Sequence, residues 1–484
     1  SHVDHWGGVR GVVDEEAVRS GRVPILAPEG FLEHAVSENV LAGNVMTRRA
    51  SYMYGGLLPR GPEGAIGSGL GQAVTGFSGS VGLFAPTDVI TRTGETRTLD
   101  GIEVVFQNTP GAEAPAEMMF YFPQLRALCL AENATATLHN LYTPRGAQVR
   151  DALGWSNYLQ ETLDRLPADV EVAFASHHWP RWGRGVIFDY LKNQRDLYKF
   201  LHDQTLRLAN HGYTKTEIAE RIELPPSLAR EFYNRSYYGT VNHNVKAIYQ
   251  RYLGWFDGNP AHLHPLPPEE SSRRYVDLMG GADRVVERAR EAFAAGDHRW
   301  VVELVNHVVF AEPGHAEARA LQASALEQLG YRAESGPWRN FYLTGAQELR
   351  RGIPELPPPN LGNADVVAAM PLSSFFDALA TRLDGERAAD VVLAVTFDFT
   401  DVDERHVLWV ENAVLHHAPD HGDLRPDATV TLTRRGFEEV ALGRATFLEK
   451  IGSGEIRLEG EGQALAQLFG LLDTFEFWFP IVTP

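Results

Sequence analysis

The chain has 484 residues, too long for one ordinary core and long enough for about three domains. With 44% hydrophobic and 22% charged residues it has the balance of a globular protein, which excludes a disordered or fibrous chain. A formal charge of −19 disfavours nucleic acid and anionic membrane surfaces as partners, and no apolar run is long enough for an integral membrane segment.

The opening stretch, SHVDHWGGVRGVV, brings His2, Asp4 and His5 within four positions of one another. These are side chains that zinc prefers, and their spacing suits a tight loop leaving a strand, where one segment grips two adjacent ions. Trp6-Gly7-Gly8 then frees the chain to turn into a helix. A chain that opens inside such a motif is expected to lack preceding residues, which leaves a signal peptide, and so a cytoplasmic or exported location, open.

Residues 1–184 alternate short apolar runs with helical stretches, the pattern of an α/β layer fold. Strands are predicted at 81–84, 102–106, 127–131 and 170–175. The third runs directly into Glu132 and the fourth into Ser176-His177-His178. Ligands of α/β enzymes gather outside the carboxyl ends of strands, which makes Glu132 and His177 candidates. Cys129, the single cysteine, has no internal disulfide partner and is expected in the core.

From 185 to 350 the apolar period becomes helical, as in Leu197, Phe200, Leu201 and Leu208 ahead of Gly212. Thr214 and Glu217 predict a capping box, and 282–331 has the small residues and Gly-Asp and Pro-Gly breaks of a tetratricopeptide-like helical hairpin. PELPPPNLGN predicts a semi-rigid linker across 351–365. Residues 366–484 then read as a small α+β domain, with helices near 375–383, 437–442 and 463–472 and strands near 391–399, 407–410, 428–432 and 455–458. Its closing stretch, LLDTFEFWFPIVTP, is aromatic enough to line an apolar tunnel, to plug a neighbouring surface or to fill its own core.

SHVDHWGG matches the end of the H-x-H-x-D-H signature of metallo-β-lactamase-fold hydrolases, whose first histidine would fall just before Ser1. The whole chain resembles the alkylsulfatase branch of that superfamily through YMYGGLLPRGP, AENATATLHNLYTPRGAQVRDA, ASHHWPRWG and YYGTVNHNVKAIYQRYLGWFDGNPAHLHPLPP. The resemblance implies a multidomain α/β and α protein. Residues 1–184 would form a metallo-β-lactamase αβ/βα sandwich, 185–350 an all-α dimerisation domain and 366–484 an α+β sterol-carrier-like domain. It implies two Zn²⁺ per chain, with His2 and Glu113 on one, Asp4, His5 and His177 on the other, and Glu132 bridging or flanking the pair. Glu117 competes for the place of Glu113. Water shared by the ions is the implied nucleophile, and Asp4, Glu132 and Arg145 are the implied catalytic residues.

Asn140 and Arg145 are the candidates for holding sulfate, because a guanidinium offers a planar fork of donors to a tetrahedral oxyanion. Tyr249 would approach the ester from the helical domain, with core packing as the alternative. The implied activity is hydrolysis of an amphiphilic alkyl sulfate ester to alcohol and inorganic sulfate by a homodimer. Competing expectations are a phosphoesterase, lactonase or thioesterase of the same superfamily, or an inactive lipid-binding scaffold.

Overall fold

The computed structural model describes residues 1–72, 81–359, 364–422 and 424–484, apart from the side chains of 37–39. Its first layer is built on a six-stranded sheet of Thr96–Leu99, Ile102–Asn108, Met118–Phe122, Ala127–Cys129, Val172–Phe174 and Arg181–Trp182, in that order. Asp100 and Gly101, both at positive φ, make the two-residue turn that joins the first two strands. The step from Ala127–Cys129 to Val172–Phe174 is the one parallel pairing in this sheet and needs a crossover. Helix Ala152–Asp164 provides it. Asp151 caps that helix by accepting from the Leu153 and Gly154 amides, and Trp155, Leu159 and Leu163 are buried along one face.

The sheet's core does not stop at residue 184. It takes in Leu191, Leu197 and Leu201 from helix Arg184–Ala209, then Ile218, Val245 and Ile248. The capping box of Thr214 and Glu217 is present at the start of helix Lys215–Arg221. A separate core lies among helices Ala282–Ala294, His298–Ala311, Ala316–Arg332 and Gly336–Arg351, the hairpins that the small-residue pattern anticipates.

Three local expectations need correction. Residues 81–84 form no strand: the Gly82 amide donates to the Gly7 carbonyl and the Leu83 amide to the Asp365 carboxylate, so no ladder partner remains. Leu83 instead fills a small core with Trp6 and Val36. The His2–His5 segment is a one-turn helix, Val3–Trp6, rather than a loop. The strands expected at 127–131 and 170–175 are shorter, because Leu130 and Ala131 already belong to the turn that carries Glu132.

The last domain has a five-stranded sheet ordered Val414–Pro419, Glu404–Glu411, Leu393–Phe399, Ala428–Leu432, Arg457–Gly460. Phe376, Phe397, Phe399 and Phe437 fill its interior, with the rings of Phe399 and Phe437 5.4 Å apart. Strand Val414–Pro419 and helix Phe447–Ser453 escape the sequence pattern, because histidines and an exposed Leu448 break the expected periods. The linker expected across 351–365 is shorter: Arg351 ends helix Gly336–Arg351, and residues 364–365 begin helix Ala364–Ala369. Residues 360–363 lie outside the described residues, and 352–359 carry no regular element, with the Leu356 carbonyl accepting from the Trp478 indole at 2.7 Å. The closing aromatic stretch plugs a neighbouring surface, lying across helices Gly43–Met53 and Gly336–Arg351.

Candidate metal centre and substrate cavity

Chain geometry gathers the ligands. Ser1 is anchored where its backbone nitrogen donates to the Ala116 carbonyl at 2.7 Å, and its carbonyl accepts from the Trp6 indole at 3.0 Å. His2 then leads with extended backbone into the turn Val3–Trp6, which sets Asp4 and His5 side by side. Glu132 follows Ala131 and His177 precedes His178, and both of these neighbours are non-glycine residues in the left-handed region, at φ 48 and 68. Such backbone costs roughly 1 kcal/mol or more and concentrates at functional sites.

His2 Nδ1 lies 2.9 Å from Glu113 Oε2, and His5 Nε2 lies 2.6 Å from Glu132 Oε2. His177 Nε2 faces Asp4 at 3.5 Å and Glu132 at 3.4 Å. Two candidate ligand groups result: Asp4, His5, Glu132 and His177, and His2, Glu113 and Glu132, with the ligand atoms of each group within 4.8 Å of one another. Glu132 belongs to both. Every residue expected to hold metal is therefore in one place.

Glu117 is not in either group, which corrects its competition with Glu113. Its carboxylate accepts the backbone amides of Glu113 and Glu132, each at 3.1 Å, and so ties two ligand-bearing turns together. Two residues absent from the sequence expectations share this supporting work. Arg150 donates to Glu113 Oε1 at 2.5 Å and also to the Glu113 and Asn140 carbonyls. His139 reaches Glu132 Oε1 at 2.9 Å, held between the rings of Trp155 and Tyr238. Gly239 permits this packing, since a Cβ there would lie 2.6 Å from the His139 carbonyl oxygen. Both missed residues lie in the AENATATLHNLYTPRGAQVRDA stretch, but spacing alone does not show that the loop folds back.

Burial opposes charge throughout the centre, and its partners decide each outcome. Burial disfavours the charged form of His5, yet hydrogen bonding to Glu132 and the nearby carboxylates push its pKa up to about 9. His177, opposed by burial in the same way, is raised to about 10 by Asp4 and Glu132. Burial would also neutralise Glu113, but Arg150 and His2 hold its carboxyl well below the usual range. For Glu117 burial and the charge of Glu113 outweigh the opposing charge of His5 and lift it to about 8. Imidazole nitrogens and carboxylate oxygens, in two groups joined by one carboxylate, form a donor set that suits divalent ions of the zinc type. His177 Nε2 fits that reading, being buried with no hydrogen bond of normal geometry.

Over this floor lies a cavity of about 510 Å³. Met46, Thr47 and Ala50 of helix Gly43–Met53 form one wall, and Tyr54, Tyr238 and Arg145 contribute to the rest. Arg145 Nη1 donates to the Gly146 carbonyl at 3.0 Å and approaches Met46 Sδ at 3.9 Å. Two expectations fail here. Asn140 is fully buried behind the cavity, where its carbonyl accepts from Arg150, and it does not line the wall. Tyr249 shares an apolar helical face with Val245 and Ile248 and packs into the core, as its alternative reading held.

Fold and donor set define a chain with a candidate metal centre at the floor of a cavity of ligand size. The alkyl sulfatase dimerisation family matches residues 214–352, and the alkyl sulfatase C-terminal family matches 360–484. A linear primary-alkylsulfatase of a Pseudomonas species is 54% identical over all of this chain and 72% of its own length. The alkyl/aryl-sulfatase BDS1 of Saccharomyces cerevisiae is 46% identical over all of this chain and 74% of its own length. The solved structure of the stereoselective inverting sec-alkylsulfatase Pisa1 from a Pseudomonas species superposes with a TM-score of 0.96 at 44% identity, covering all of this chain and 76% of that one. The chain belongs to the alkylsulfatase family.

Proposed function

We propose that the protein hydrolyses alkyl sulfate esters to an alcohol and inorganic sulfate, using two zinc ions per chain. The observation that carries this reading is the sharing of Glu132 between two ligand groups that open on one cavity beside Arg145. His2, Glu113 and Glu132 would hold one ion, and Asp4, His5, His177 and Glu132 the other. Bound there, such ions supply Lewis acidity and activate water near neutral pH. Arg145 offers the sulfate a permanent charge and a fork of donors, while Met46 and Ala50 offer the alkyl chain an apolar wall. The names carried by the relatives supply the substrate class.

The working unit is a homodimer. Within the stretch matching the dimerisation family, Trp255, Leu263, Tyr275 and Leu278 are exposed, an apolar set that a partner subunit would cover. Among the described residues no helix is long and apolar enough to cross a membrane.

Sulfate release from dodecyl sulfate, measured beside a panel of phosphate esters, lactones and thioesters, tests the substrate class. Dodecyl sulfate should turn over, and elemental analysis should find about two zincs per chain. Activity should disappear on chelation and return with zinc. Dodecyl sulfate left intact while another class is consumed would overturn the assignment.

A further inference from the structure

Arg48 is fully buried on helix Gly43–Met53, on the side away from the cavity. Its guanidinium donates to Glu348 Oε2 at 2.5 Å and to the Phe479 carbonyl at 3.0 Å, and it lies 5.3 Å from each of the Tyr52 and Trp478 ring centres. The other oxygen of Glu348 accepts the Ile481 amide at 3.1 Å, and Asn44 donates to the Glu476 carbonyl at 3.0 Å. Residues 476–481 thus form a strap that ties this helix to helix Gly336–Arg351.

The opposite face of the same helix is the cavity wall. Met46, Thr47 and Ala50 line it, and Arg49 donates to the Pro144 carbonyl at 2.7 Å, beside Arg145. A helix is stiff along its length, so what fixes one face sets where the other stands. A buried ion pair adds little net stability once desolvation is counted, whereas its directional bonds hold a register.

We propose that Arg48 is a positioning residue for alkyl-chain recognition: through the strap it sets the distance of Met46 and Ala50 from the substrate's hydrocarbon tail. The inference rests on the alkyl sulfate reading above. It assigns the last domain a part in substrate selection through its strap, with no lipid-holding interior required.

The test compares hexyl and dodecyl sulfate as substrates for the full-length zinc-loaded enzyme, for Arg48→Met, and for the double variant Trp478→Ala/Phe479→Ala. The double variant keeps Arg48's bonds to Glu348 and to the residue-479 carbonyl and removes the rings that pack the strap on its guanidinium, so it loosens the strap in a folded chain if Arg48→Met does not fold. Loss of contact with about two methylenes is worth roughly tenfold in binding. KM for dodecyl sulfate should therefore rise about tenfold in each folded variant, while kcat, zinc content and KM for hexyl sulfate change less than about twofold. An unchanged KM for dodecyl sulfate overturns the proposal. So does an equal rise for both esters, which would place the effect at the head group, and so does a fall in kcat that tracks lost zinc. A wild-type enzyme inert toward both esters would instead refute the substrate reading itself.

Discussion

Three imidazoles, those of His5, His139 and His177, reach the single carboxylate of Glu132, and both ligand groups depend on it. The turn that presents Glu132 is held by Glu117, whose second oxygen holds Glu113. Glu117→Ala removes both acceptors and leaves the Glu113 and Glu132 amides without their brace. Outer-shell partners of this kind are worth roughly 10–100-fold in metal affinity, so chelator competition should show zinc binding weakened by about that factor while the fold persists. Arg145→Ala should raise KM for dodecyl sulfate by at least about tenfold, since a hydrogen bond to a charged group contributes about 1.5–3 kcal/mol. Arg145→Lys should recover part of that loss, because the charge returns without the fork. At this scale the sequence was readable where ligands sit close together in it, as at His2, Asp4 and His5, or end a strand, as at Glu132 and His177. It was silent on Arg150 and His139, whose importance comes from a carboxylate brought against them by a fold-back that no local period records.

Helix Ala152–Asp164 shows how an element serves the centre at a distance. Its Asp151 cap fixes where the helix begins, and its Trp155 indole donates at 2.7 Å to the Asn133 carbonyl, next to Glu132. Asp151→Ala should cost about 1 kcal/mol, the usual worth of an N-cap, seen in denaturant melts, and Asp151→Asn should restore most of it. The helices and longer strands were legible because their periods extend over several residues. The expected strand at 81–84 misled because its apolar residues are buried in a small core, where burial produces the same composition as a ladder. Tyr249 misled for the related reason that a residue on a core face and one aimed at a substrate look alike in one dimension.

At the scale of the molecule, exposed Trp255, Leu263, Tyr275 and Leu278 predict a second copy of the chain. Light scattering at micromolar concentration should report twice the chain mass, and a purely monomeric solution would count against the assembly. The formal charge of −19 leaves an anionic ester to be drawn in by a local cationic site, the place given to Arg145. Domain order was readable from the change in period and the proline-rich linker, whereas the return of 476–481 onto a helix near the start was not, because its partners are separated by 431 residues.

That separation also bears on how the enzyme is made. Arg48 leaves the ribosome hundreds of residues before Phe479 does, so a nascent chain can assemble its sheet and metal ligands while one side of the hydrocarbon slot still lacks its outer brace. Mature selectivity for long tails would then arise only after translation has passed the strap, as a late step in biogenesis.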